Sequence, residues 1–204
     1  MKRVLLLVVL ALIGFGIYWF KFRDSGETPE GPKQEAIKTN RHSDAFNNSF
    51  DTLMRHYLDI KAAFVDADSV KAKDAAKALI NAVDKLDTAE LKKDSLAVFE
   101  SIVAQLGDVK ANAESLTKQT ALTEMRQDFR MVSESMYPLL KAIHYEGKTL
   151  YWQNCPMAFG EDKGANWISN TEEIVNPYLG KNHPEYKGSM LHCGEVKDSI
   201  VAVK

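Results

Sequence analysis

A chain of 204 residues, 45% of them apolar, is long enough for one compact domain and a short appendage but not for two large domains. Its formal net charge of -2 provides no basic face to neutralise phosphates, which excludes nucleic acid as an expected partner. The two cysteines, Cys155 and Cys193, exclude a disulfide-dense scaffold and every four-cysteine zinc pattern, leaving a single bridge or a mixed-ligand metal site.

Residues 1–20 read as a membrane anchor or signal segment. Lys2 and Arg3 precede an uncharged apolar run of seventeen residues, Val4 to Phe20, that ends in the interface-favouring pair Tyr18 and Trp19. The apolar run continues past the small residues Ala11, Gly14 and Gly16, which favours an uncleaved transmembrane helix over a cleaved signal. Either reading exports the remainder of the chain. Residues 21–41, with Gly26, Pro29, Gly31 and Pro32 among charges, have little to bury and read as a flexible linker spanning roughly 25 Å.

Residues 42–146 predict a four-helix bundle. Apolar side chains recur at helical spacing in four segments: Phe46 to Val65, Val70 to Leu86, Leu96 to Leu116 and Leu122 to Ile143. Asp68 or Ser69 is a candidate N-cap for the second helix. Asp87 with Glu90 reads as a capping box opening the third. Amphipathic helices joined by short polar turns favour an antiparallel bundle. No glutamate is followed three residues later by histidine, which excludes a ferritin-like di-iron site, and no Cys-x-x-Cys-His is present for a c-type haem. Met54, Met125 and Met136 lie on apolar stripes and read as core.

Residues 147–204 differ in character. They hold three of the six prolines, two of the three tryptophans and both cysteines, and predict an irregular or short-strand segment packed on the bundle. In "NCPMA", Pro156 biases Cys155 toward an extended conformation, in which Cys155 and Met157 project to one side. In "GSMLHCGE", Met190 and Cys193 meet across one turn; if the stretch is extended, Met190 and His192 share a face instead. Thiolate and thioether ligands prefer soft ions, above all Cu(I). Cys155, Met157, Met190 and Cys193 are therefore candidate ligands, with His192 as a substitute. The competing reading is a Cys155–Cys193 disulfide in an oxidising compartment, worth roughly 3–4 kcal/mol in the chain-entropy estimate, with no metal at all. Trp167, Asn176 and Tyr178, in "KGANW" and "NPYLG", read as turn chemistry and aromatic cover.

In their order, "CPMAF", "GANW", "NPYLG" and "MLHCGEV" resemble a bacterial family catalogued as a domain of unknown function. It is found alone in exported proteins and at the C-terminus of adaptor subunits of copper and silver efflux pumps. The helical stretches "YLDIKAAFVDAD", "AAKALINAV" and "RQDFRMVSESMYPLLK" agree with it, so that the resemblance spans residues 44–197. It implies a periplasmic domain that handles copper or another soft ion. Many members carry histidines in the fourth helix where this chain has Met125, Gln127 and Asp128. That departure implies a site that binds more weakly or relies on sulfur alone.

The sequence thus predicts a mainly α domain held at the periplasmic side of the inner membrane by its N-terminal helix, or free in the periplasm if that helix is cleaved. Its expected task is to bind Cu(I), or its congener Ag(I), and to buffer the ion or pass it to an efflux adaptor or another periplasmic copper protein. No nucleophile–base pair, phosphate loop or paired carboxylates of recognisable spacing is present, so an enzyme is not expected. The alternative is a structural or interaction module with bridged cysteines.

Overall fold

A computed structural model describes residues 42–201 together with Phe15 and Tyr18. The expected anchor over 1–20, apart from those two residues, and the linker over 21–41 lie outside the described residues. Among the described residues no helix is long and apolar enough to cross a membrane.

Residues 42–201 contain four α-helices in order: α1 (Asp44–Val65), α2 (Ser69–Lys85), α3 (Leu96–Lys118) and α4 (Leu122–Ala142). Local chemistry sets their ends. Ser43 caps α1 by accepting from the N–H of Phe46, and Asp68 caps α2 by accepting from Lys71 at 2.9 Å. Ala67, at φ 57°, turns the chain between them. The capping box expected at Asp87 opens no long helix. Asp87 instead accepts from the N–H of Ala89 ahead of a short 3-10 turn, Glu90–Lys93, and Ser95 caps α3. Glu90 turns back to the start of α1, where it accepts from the hydroxyl of Ser43 at 2.6 Å.

Consecutive helices pack side by side. Their apolar stripes are buried as the spacing predicts, with Met54, Met125 and Met136 inside; Val70, Leu96 and Val103, expected on those stripes, are exposed. Large rings span from α1 to α4: Phe129 lies 5.2 Å from Tyr57 and 5.3 Å from Phe64, centroid to centroid.

The C-terminal part is more regular than expected. β1 (Leu150–Cys155), β2 (Ala165–Ser169) and β3 (Glu195–Ile200) form an antiparallel sheet in the order β2-β1-β3. β2, an edge strand, lies against α4, and tyrosine hydroxyls satisfy its outward backbone groups. The N–H of Ile168 donates to the Tyr57 hydroxyl at 2.9 Å. Ser133 Oγ donates to the Phe129 carbonyl, which leaves it to accept from Tyr57 at 2.7 Å. Tyr178 donates to the carbonyl of Asn166. Each hydroxyl is buried, and burial pushes both phenols well above their ordinary pKa, so they remain donors at any ordinary pH. Tyr137 of α4 also stacks on Trp152 of β1 at 4.3 Å. The sheet is thereby fixed to the helices before any question of a ligand arises.

Candidate functional site

The β1–β3 register brings the two cysteines together. Asn154 pairs with Glu195, so the residue after Asn154 and the two before Glu195 are neighbours. Cys155 ends β1, paired with Ala165 and completely buried; Cys193, half-buried, lies just before β3. Their Sγ atoms stand 2.9 Å apart, and both are free thiols. A bond would require closure to about 2.05 Å. Two thiolates on one ion, each ~2.3 Å from it, would stand ~3.7–4.6 Å apart, so the sulfurs would part by roughly 1 Å or more. The observed separation lies between the two states.

Several contacts hold Cys193 in this place. Residues 188–192 form a turn, and the N–H of Cys193 closes it on the carbonyl of Met190 at 3.0 Å. Met190 and Cys193 thus meet across a turn, the first of the two arrangements that the spacing allowed. Asn176, fully buried, donates from its amide to the carbonyl of Cys193 at 2.8 Å. Its Oδ1 accepts from the N–H groups of Tyr178 and Leu179 at 2.8 and 3.0 Å, and its backbone N–H donates to Leu191. One side chain therefore ties "NPYLG" to the cysteine turn. Gly194 closes the other side at φ 143°: a Cβ there would stand 2.6 Å from the carbonyl of Asn154 and 3.0 Å from the Trp167 ring. Only glycine lets the chain pass so close behind Cys155.

The remaining candidates are placed as follows. The strand ends at Cys155, and Pro156 and Met157 form a turn, so strand alternation does not align Met157 with Cys155. Met157 and Met190 are both half-buried and pack against the core. His192 is exposed, and its Nδ1 bonds the carbonyl of Ile174 at 2.8 Å. Among the described residues no three His, Cys, Asp or Glu side chains converge to hold an ion, so His192 completes no trio with the cysteines. Trp167, completely buried, lies edge-on to Tyr178 and offers an indole N–H that has no partner among the described residues. An N–H is a donor without a lone pair, so Trp167 can shield an ion but cannot ligate it.

The electrostatics favour protons on sulfur. Burial, and then the hydrogen bond to Cys155, push the Cys193 thiol well above its ordinary value. Cys193 is thereby a weaker nucleophile than an ordinary thiol. A soft ion would be held here only by displacing those protons.

Three functional-looking groups outside the sulfur residues escaped the sequence reading. Asn176 was legible only as turn chemistry. Lys61 and Arg126 are buried cations: Lys61 donates to Ser169 Oγ at 2.9 Å, and Arg126 to the carbonyl of Phe64 at 2.9 Å. Burial draws the amine of Lys61 down to about 8, partly offset by Glu173, and the guanidinium of Arg126 down to about 10. The available signal was periodicity, because both fall in the apolar phase of their helices, four residues after Tyr57 and four after Leu122.

Residues 53–148 match the model of a family described as a protein of unknown function (DUF3347). The matched segment runs from within α1 to just past α4 and ends before β1, so both cysteines and both flanking methionines lie beyond it. No curated protein and no solved structure matches the chain.

Proposed function

For a chain whose residues 53–148 match that family of unknown function, we propose a role as an extracytoplasmic carrier of Cu(I), with Ag(I) as a competing ion. The thiolates of Cys155 and Cys193 would supply the charge, and the thioethers of Met157 and Met190 would complete a soft donor set. The observation that carries this reading is the 2.9 Å approach of two thiols that are 38 residues apart in sequence, with a half-buried methionine two residues after one and three residues before the other. Such a set suits a soft monovalent ion far better than magnesium, calcium or manganese, which prefer oxygen. Loading would release the two thiol protons, so affinity should rise with pH. Exposed His192 lies beside the cysteine turn and could receive the ion during transfer. The task would be buffering the ion, or delivering it to an efflux adaptor or another periplasmic copper protein, with the domain tethered to the inner membrane through residues 1–20 and with no chemical turnover.

Titration of the reduced full chain with Cu(I) against a competing chelator tests this reading. One ion per chain, lost in Cys155→Ser with Cys193→Ser, supports it, and undiminished binding in that double variant refutes the ligand set. One observation favours a second reading, a structural disulfide. The 2.9 Å separation is shorter than two thiolates on one ion would keep, so an ion would have to push the sulfurs apart, whereas a bond would draw them together. Mass analysis of the exported protein without reductant separates the two, because a bridge leaves no free thiol.

A further inference from the structure

Arg126 is 4% exposed, yet among the described residues no carboxylate lies within ion-pairing distance of its guanidinium. One Nη bonds the carbonyl of Phe64 at 2.9 Å, where the C-terminal end of α1 supplies a fraction of a negative charge. Its Nε is buried with no partner among the described residues. A buried full charge with so little compensation is expensive unless something else supplies a counter-charge.

Arg126 lines a cavity of about 240 Å³, which Thr123, Gln127, Phe159, His183 and Glu185 help to form. Thr123, Arg126 and Gln127 share one face of α4, at positions i, i+3 and i+4. This face lies in the first turns of α4, whose N-cap, Ala121, makes no side-chain cap, so the helix dipole adds positive potential there. His183 accepts at Nδ1 from the N–H groups of Glu185 and Tyr186, which leaves any ring proton on Nε2. Burial, and then the charge of Arg126, lower its pKa, against a smaller opposing effect of Glu185. Phe159, half-buried against Tyr178, adds an apolar wall, whereas Glu185 places one negative charge at the cavity.

We infer that this cavity is a binding site for a small monocarboxylate with an apolar body, the carboxylate pairing with Arg126 and the body resting on Phe159. A planar carboxylate matches a guanidinium fork. A dianion such as phosphate is disfavoured by Glu185. The site is independent of the sulfur residues and of their proposed ion.

The test is calorimetric titration of the full chain with phenylacetate, acetate and inorganic phosphate. Phenylacetate is expected to bind once per chain with a Kd of about 1 mM, acetate more weakly and phosphate not measurably. Arg126→Gln, which keeps a donor for Phe64, should weaken phenylacetate at least tenfold. Glu185→Gln, a change at an exposed residue, should tighten it several-fold. Absence of saturable binding to the wild-type chain, equal binding to Arg126→Gln, or a preference for phosphate would each overturn the assignment. So would a Glu185→Gln chain that loses stability and gains no affinity, because Glu185 would then be the counter-charge that Arg126 needs.

Discussion

Replacing Asn176 with alanine should loosen the cysteine turn while leaving the helices folded. The side chain is fully buried and makes three hydrogen bonds to backbone: to the carbonyl of Cys193 and from the N–H groups of Tyr178 and Leu179. Each is worth about 1 kcal/mol net, and each partner left buried without a bond costs about 1–3 kcal/mol. Water reaches the half-buried Cys193 end more easily than the two amides under Tyr178, so the expected loss is roughly 3–5 kcal/mol. For a domain of this size that corresponds to about 6–20 °C in Tm. Urea denaturation of the full chain, followed by far-UV circular dichroism, measures the stability, and the rate at which a small disulfide reagent modifies Cys155 under native conditions reports the turn. Cys155 should become at least tenfold more reactive in Asn176→Ala, because opening the turn uncovers a thiol that is now completely buried. A variant within about 0.5 kcal/mol of the parent, the scatter of ordinary surface changes, with unchanged thiol reactivity would refute the reasoning.

Gly194→Ala should disturb the same turn from the other side, since the new Cβ would meet the Asn154 carbonyl at 2.6 Å in a backbone conformation that alanine avoids. A loss of about 2–3 kcal/mol and faster thiol modification are expected, with a parent-like urea midpoint as the contrary result. Lys61 has a folded pKa of about 8, below its unfolded value, so the unfolded chain binds more protons between about pH 8 and 10.5 and Lys61's contribution to stability rises across that window. Between pH 7 and 9.5 the gain is about 2 kcal/mol, and Lys61→Met should be more stable than the parent at pH 7 and lack that slope; the same slope in the variant would assign it elsewhere. Asp198, held down to about 2 chiefly by the hydrogen bond it accepts from Lys141 and next by that from Tyr137, ties β3 to α4. Its contribution is present above the ordinary carboxylate range and lost as pH falls toward about 2, so hydrogen exchange in β3 should quicken there in the parent but show no such step in Asp198→Asn.

The helical half was legible because its four apolar stripes and the cap at Asp68 are local features. The start of α3 was misjudged because Asp87 and Glu90 have the spacing of a capping box, yet Glu90 is engaged by Ser43, 47 residues away, which no local pattern encodes. The sheet was hidden for a related reason. β1 is central and buried on both faces, and β3 is exposed along nearly its whole length, so neither shows the alternation that identifies a half-buried strand. The approach of Cys155 to Cys193 follows from the pairing of Asn154 with Glu195, a long-range register. Composition gave the sulfur candidates, whereas it gave no sign that His192 would be turned to the carbonyl of Ile174.

The most direct measurement of the proposed role is Cu(I) titration of the reduced full chain, read by X-ray absorption at the copper edge alongside proton release. One ion per chain in an all-sulfur environment is expected, with about two protons released on loading and binding lost when both cysteines are serine. Copper bound through nitrogen or oxygen, or equally well by the double-serine chain, would contradict it.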